Sequence, residues 1–226
     1  MEKVPKHLGL IIDGNRRWAK ERNLPTLKGH RVGLENVQNL VKWSKKRGIK
    51  ILTVFLFSTE NWKRSKTEVN YLMKLLKLAL NRKNIQKIHQ QGIKIKVIGQ
   101  RERLDKFFQK RIKEIEELTK NNQEMLLNFA LSYGGRAEIA QAMKNIIKKK
   151  IPAEKITEKI ISQNLWTSDL DLLIRTGKEQ RISNFLIWQA AYSELYFCNK
   201  YWPDFTEKDL DEALADYAKR QRRLGR

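Results

Sequence analysis

Five short apolar runs recur along this chain, and a longer stretch with helical periodicity separates each from the next. The runs cover residues 8–12 (LGLII), 51–57 (ILTVFLF), 93–98 (IKIKVI), 125–131 (MLLNFAL) and 170–174 (LDLLI). Short β-branched and aromatic runs bounded by turn formers predict strands. Between them, Val32, Val37, Leu40, Val41 and Trp43 share one helical face, closed at Arg47-Gly48. Val69, Leu72, Met73, Leu75, Leu76, Leu78 and Leu80 mark a long helix expected to reach His89, just before Gly92. Residues 104–118, 137–147 and 206–223 complete the helical set.

Buried strands joined by helices imply an α/β fold with a mostly parallel central sheet and helices on both faces. No Pro/Gly/Ser-rich linker divides the chain and no internal repeat is visible, so residues 1–226 are expected to form a single domain. In open parallel sheets, ligands collect beyond the carboxyl ends of the strands. Four polar segments follow strands here: 13–18 (DGNRRW), 58–64 (STENWKR), 133–136 (YGGR) and 175–181 (RTGKEQR). Parallel strands would gather all four on one rim.

Each segment has chemistry suited to anions. Asp13 at a strand end suits a hard cation such as magnesium, which binds through few carboxylates plus phosphate oxygens. Gly14 lets backbone approach a ligand, and a helix starting after it would offer free N–H groups to an anion. Arg16 and Arg17 add charge-assisted donors. Residues 58–64 bring two hydroxyls, a carboxylate, an amide, an indole and two cations, with Ser65 or Thr67 available to cap a following helix. Arg175, Arg181 and Ser183 suit a second phosphate group. Glu194 lies in an apolar stretch beside Leu195 and Tyr196, where a carboxylate needs a partner or a metal.

Composition narrows the alternatives. Lys and Arg number 47 against 25 Asp and Glu, a net charge of +22 that attracts nucleic acid, anionic lipid or phosphorylated substrates. The sequence has no nucleic-acid recognition motif, so no nucleic-acid partner is expected. Cys198 alone excludes an intrachain disulfide, and His7, His30 and His89 are too scattered for a zinc motif. The first residues lack the apolar stretch of a signal peptide, and no run approaches the ~18 apolar residues of a membrane span. A cytoplasmic location is therefore expected. There is no GxxxxGK[ST] loop, no GxGxxG after a strand and no Asp-Asp pair of the kind trans-type prenyl synthases use for metal.

The polar segments, taken with their flanks, resemble the cis-prenyltransferase family and, within it, bacterial undecaprenyl diphosphate synthases. The matching pieces run in order: DGNRRW with Gly29-His30 downstream, FSTENWKR at 57–64, SYGGR at 132–136, IRTG at 174–177, RISNFLIWQ at 181–189, AYSELYF at 191–197 and WPDF at 202–205. They span nearly the whole chain.

The resemblance implies repeated cis addition of isopentenyl diphosphate to farnesyl diphosphate with magnesium, in a homodimer with a hydrophobic tunnel. The implied product is undecaprenyl diphosphate, a lipid carrier for cell-wall sugars. It implies that Asp13 is central to catalysis and metal binding, with Glu194 as a further metal ligand. Gly14, Asn15, Arg16, Arg17 and Trp18 would hold the allylic substrate, with His30 near its diphosphate. Ser58, Thr59, Glu60, Trp62 and Arg64 would form a loop over the substrates, and Arg175, Arg181, Ile182 and Ser183 would grip isopentenyl diphosphate. Asn61 stands where the family's proton acceptor is placed; because a neutral amide is a very weak base, positioning by hydrogen bonds is the expected role. Arg223-Leu224-Gly225 resembles an R-x-G element that completes the partner subunit's site.

Three positions depart from the family's common pattern. Arg16 stands for a frequent glycine, Thr26 for a frequent diphosphate-binding arginine, and Gln180 for a frequent metal-associated histidine. The implied tunnel walls are the helix at 69–80 and the strand at 125–131. The basic surface is also expected to meet anionic membrane, where a lipid product must go.

Overall fold

The computed structural model describes residues 3–220. In chain order the elements are β1 His7–Ile11, α1 Asn15–Glu21, α2 Thr26–Lys46, β2 Ile51–Ser58, α3 Lys66–Ala79, α4 Arg82–Gln90 and β3 Ile93–Ile98. There follow α5 Lys106–Thr119, β4 Met125–Tyr133, α6 Gly135–Lys148, α7 Glu158–Asn164, β5 Leu172–Arg175, β6 Glu194–Phe197 and α8 Glu207–Lys219. The six strands form one sheet in the order β3-β4-β2-β1-β5-β6, and every neighbouring pair is parallel.

Side chains alternate between the two sheet faces, as the strand period requires. Leu8, Leu10, Leu52, Val54, Leu172 and Ile174 enter the larger core, which also takes up Val37, Leu40 and Val41 of α2 and Ile112 and Ile115 of α5. Ile11, Leu173 and Ala130 face a smaller core around Tyr133, Phe185 and Leu186. There, Phe55 stacks on Phe185 at 4.6 Å and meets Tyr133 edge-on at 5.8 Å.

Register sets the rim. Ile11 pairs with both Phe55 and Arg175, while β2 and β4 run on together to Ser58 and Tyr133. The four polar segments therefore leave the sheet on one side, as expected. The β2–β4 ladder shifts register around Phe57, an irregularity of the kind that re-aims chain ends beside active sites.

Three elements differ from expectation. The helix expected over 69–89 is two helices, because the Asn81 side chain accepts from Asn84 N–H at 2.9 Å and starts α4 afresh. β6 is an additional edge strand whose residues are all half-buried, so ELYF has no clean apolar alternation. α7 is short and carries no fully buried residue. The last helix, expected over 206–223, ends at Lys219, where Arg220 turns to an extended conformation. No described helix is long and apolar enough to cross a membrane.

Candidate active site

The corner after β1 is built around Gly14. Its φ of 101° is left-handed, and a Cβ there would lie 2.5 Å from the Tyr201 ring, so only glycine fits without moving Tyr201. Asp13 O accepts from Trp202 N–H at 3.0 Å and Thr176 Oγ1–H at 2.9 Å, which pins the turn to two later segments. Asn15 Nδ2–H donates to Ile12 O at 3.0 Å. Gly29 and Gly33 of α2 leave room for the Asn15 backbone and side chain, and a Cβ at either would collide with them. The short helix α1 is thus seated tightly against α2.

The Asp13 carboxylate is held from two sides. Oδ1 accepts from Gly14 N–H at 2.6 Å, and Oδ2 meets Arg175 Nη2 at 2.8 Å and Arg17 Nη2 at 3.4 Å. Arg175, at the end of β5, is 4 % exposed; its Nη1 donates to Ser183 Oγ at 2.6 Å and to Arg181 O. One buried guanidinium therefore ties the β1 corner to the segment at 181–183. Arg17 also pairs with Glu179 at 2.7 Å, and Glu179 pairs with Arg181 at 2.7 Å.

Residues 59–63 form a 3-10 turn closed by a reciprocal cap. Asn61 N–H donates to Ser58 Oγ at 3.2 Å, and Asn61 Oδ1 accepts from Ser58 N–H at 3.0 Å. The Asn61 carbonyl oxygen is thereby committed to backbone, and its Nδ2 is the side-chain group left to meet a ligand. Burial acts to raise the Glu60 pKa, but hydrogen bonds from its own N–H, Asn184, Ser58 and Thr59 outweigh it, leaving the group below its ordinary value. Asn184 is a residue that sequence reasoning missed. It donates to Glu60 at 3.1 Å, accepts from Arg136 N–H at 2.9 Å through its side chain and from Gly135 N–H at 2.7 Å through its backbone. Its φ of 62° is left-handed, a conformation that asparagine tolerates better than most residues.

These segments enclose a cavity of about 1040 Å³ with two characters. Its polar end gathers Asp13, Gly14, Asn15, Arg16, Arg17, His30, Ser58, Glu60, Asn61, Arg64, Arg175 and Ser183; its apolar wall includes Ile12, Leu34, Phe55, Leu56, Leu72, Leu75 and Leu76. Lys20 and Thr26 also face it. A smaller cavity of about 100 Å³ continues past Leu34, Leu56 and Leu76, which line both, to Phe129 and Leu131 of β4. The expected walls at 69–80 and 125–131 are thus both present. His30 is lowered below its ordinary pKa, first by burial and then by Arg64 and Arg16, with Glu68 opposing.

Six expected residues do not line the larger cavity. Trp18 Nε1–H donates to Asp204 at 2.6 Å, and Trp62 Nε1–H donates to Ser132 at 2.9 Å while its ring packs edge-on against Phe57. Both indoles hold their loops. Thr59 backs Gly134, Ile182 packs on the smaller core and the Arg181 side chain is 61 % exposed. Glu194 pairs with Arg220 at 3.0 Å and opens β6, opposite Leu172, whereas Phe197 at the other end of β6 lies opposite Arg175. Three strand residues amount to roughly 10 Å, against metal–oxygen bonds of about 2.1 Å. Within this chain the Glu194 carboxylate is therefore set apart from that of Asp13, and its partner is Arg220. Gln180 is exposed, and the 223–225 element lies outside the described residues.

The family model described as "Putative undecaprenyl diphosphate synthase" matches residues 11–225. An isoprenyl transferase of Neisseria meningitidis is 47% identical over 226 residues, covering 99% of this chain and 90% of that protein. A Legionella pneumophila protein named ditrans,polycis-undecaprenyl-diphosphate synthase, farnesyl-diphosphate specific, is 44% identical over 99% of this chain and 96% of its own length. The crystal structure of lavandulyl diphosphate synthase from Lavandula x intermedia, solved with dimethylallyl diphosphate, superposes with a TM-score of 0.94 at 37% identity, covering 99% of both chains. The family model and these relatives span nearly the whole chain, and the chain belongs to the undecaprenyl diphosphate synthase family of cis-prenyltransferases.

Proposed function

We propose that this protein joins isopentenyl diphosphate units in cis to farnesyl diphosphate, making a long polyprenyl diphosphate of the undecaprenyl type. The observation that carries this reading is one cavity that joins a cationic rim to an apolar interior. A molecule with a diphosphate head and a growing hydrocarbon tail matches both ends at once. Burial of the tail favours retention by roughly 0.8 kcal/mol per CH₂, so elongation can continue without release.

In each cycle the allylic C1–O bond breaks and diphosphate leaves. C1 bonds to C4 of isopentenyl diphosphate, and a C2 proton is lost as the new double bond forms. Arg16, Arg17, His30 and Arg64 face the allylic head, while Arg175 and Ser183 present the second diphosphate. Asn61 Nδ2–H orients a diphosphate oxygen, and the proton passes to a diphosphate oxygen rather than to the amide. Asp13 is 34% exposed and lines the rim, which fits a magnesium ion held by one carboxylate together with diphosphate oxygens. No group of three or more His, Cys, Asp or Glu residues gathers among the described residues, and a magnesium ion at Asp13 would complete its shell with diphosphate oxygens and water. When bound, the metal would neutralise charge on the leaving diphosphate.

The protein works from the aqueous side of a membrane as a homodimer, and its basic surface meets anionic lipid when product is released. The +22 charge supports this last step. Stronger sedimentation with anionic than with neutral vesicles is expected, and equal binding would count against it.

Product analysis tests the whole reading. Incubation with farnesyl diphosphate, isopentenyl diphosphate and magnesium should give cis-extended products of many units. A single condensation, or a branched short product, would overturn it.

A further inference from the structure

Glu68 is not part of the cavity wall, yet its carboxylate faces three side chains that are. Oε1 lies 3.0 Å from Arg64 Nη1 and 3.5 Å from His30 Nε2, and Oε2 lies 3.8 Å from Arg16 Nη1. These partners come from three different places: the loop before α3, the helix α2 and the helix α1. Glu68 itself sits in the first turn of α3, where its N–H donates to the Ser65 cap at 3.3 Å. A first-turn acid gains something from the helix dipole, and this would explain a carboxylate at the position. It does not explain why two rim arginines and a rim histidine converge on it. The carboxylate is 16% exposed and the His30 ring 10%. His30 Nε2 has no partner within hydrogen-bonding geometry, and the ring borders the cavity.

We infer that Glu68 is a positioning residue for allylic diphosphate, acting through Arg16, His30 and Arg64 and fixing α3 to the cationic rim. Arg16 and Arg64, joined by His30 when its ring is protonated, would otherwise repel one another and swing outward into solvent. A carboxylate behind them neutralises part of that repulsion and holds their donors toward the cavity. Because Arg64 leaves the 58–64 loop directly before α3, the same contact sets how that loop meets the tunnel wall. The charged groups facing His30 are Arg16 from α1, Arg64 from the loop and Glu68 from α3, and of these only Glu68 favours the protonated ring. The inference rests on the assignment of this part of the rim to allylic diphosphate.

Two effects of Glu68→Gln have opposite signs, which makes the test sharp. Removing a negative charge near an anion site would by itself tighten diphosphate binding. Losing the anchor for two arginines and a histidine would weaken it. We expect E68Q to bind farnesyl diphosphate about tenfold more weakly, a change of about 1.4 kcal/mol, with isopentenyl diphosphate affinity within about twofold of wild type. The pH above which farnesyl diphosphate affinity declines should also move down, because His30 loses the group that favours its protonation.

Both substrates would be titrated against the whole protein by calorimetry from pH 5.5 to 8.5, with circular dichroism as the folding control. Equal or tighter farnesyl diphosphate binding by E68Q, with an unmoved pH profile, would overturn the inference and leave the proposed function intact. If E68Q does not fold, Glu68→Asp keeps the charge one methylene further back. Selective loss of farnesyl diphosphate affinity in E68D supports the role, and unchanged affinity overturns it. A wild-type protein that binds no farnesyl diphosphate would overturn the functional reading and this inference with it.

Discussion

Arg175 on β5 reaches across to Asp13 after β1, and its Nη2 lies 2.8 Å from the carboxylate Oδ2. The guanidinium is buried and its Nε has no partner, so Asp13 and Ser183 carry much of its satisfaction. Asp13→Ala should therefore do two things. Turnover with farnesyl and isopentenyl diphosphates should fall by at least about a thousandfold, because the rim carboxylate suited to magnesium is gone. Stability should fall by about 1–3 kcal/mol, because a buried charged donor is left unpaired. Asp13→Asn should lose comparable activity while melting closer to wild type. Near-wild-type turnover in either variant would remove Asp13 from the mechanism.

Asn61 offers a cleaner test of proton transfer. Its carbonyl oxygen already accepts from Ser58 N–H, so Asn61→Asp can keep the cap and the fold. The substitution exchanges the free Nδ2 donor for a carboxylate oxygen facing diphosphate. A positioning amide predicts a drop in kcat of at least about tenfold with little change in melting temperature. Faster turnover in single-turnover kinetics would instead favour direct proton abstraction.

Thr26 and Lys20 border the same cavity. Lys20 lies in the last turn of α1, and the prediction is that its ammonium takes the place of the cation that Thr26 lacks. Lys20→Ala should raise KM for farnesyl diphosphate by about three- to tenfold with kcat little changed. Thr26→Arg should reverse most of that loss in the double variant. Steady-state kinetics at fixed salt checks both, since surface ion contacts weaken as ionic strength rises.

How far the sequence foretold this molecule depended on the kind of residue. Apolar runs such as 51–57 announced buried strands because burial on both faces demands continuous hydrophobicity. Parallel order then followed from the intervening helices, and with it the common rim. β6 was not legible, since Glu194–Phe197 is a half-buried edge strand with no clean alternation. The split at Asn81 was hidden because apolar residues continue on both sides of the cap, leucines before it and Ile85 and Ile88 after it. In the site, motif residues were legible and their partners were not. Glu68 looked like a first-turn helix acid, and Asn184 like one more polar loop residue. Only the packing of distant segments shows two arginines and a histidine on the one and two other segments on the other.

His7 links stability to pH away from the site. It is 1 % exposed; its Nδ1 faces Asp169 O at 2.9 Å and its Nε2 faces Thr53 Oγ1 at 2.7 Å. Asn128 Nδ2–H donates to that same hydroxyl at 3.0 Å, so the Thr53 hydroxyl is free to donate to His7, whose Nδ1–H then donates to Asp169 O. This requires a neutral ring. Burial pushes the pKa from 6.5 down to about 4. The unfolded chain therefore binds the extra proton between these values, and stability must fall as pH drops from about 6.5 to about 4. The loss amounts to about 3 kcal/mol at the acid end. Urea unfolding of wild type and His7→Gln across this window should show a steeper slope for wild type. Parallel slopes would place the acid sensitivity elsewhere.

Chain length should respond to the narrowing between the two cavities. Leu34 on α2, Leu56 on β2 and Leu76 on α3 line both, and beyond them lies only about 100 Å³ bounded by Phe129, Leu131 and Ile85. A growing tail must pass this ring to extend further, and side chains in packed interiors yield little volume without strain. Leu56→Trp should close the passage and shift products shorter by several five-carbon units, with the first condensation little affected. Leu76→Ala opens it and should shift the distribution the other way, at a stability cost of about 2–5 kcal/mol for the cavity created. Chromatography of the products from matched incubations reads both shifts. An unchanged distribution in both variants would show that the tail does not run between α2 and α3, and the wall would have to be sought elsewhere along the sheet.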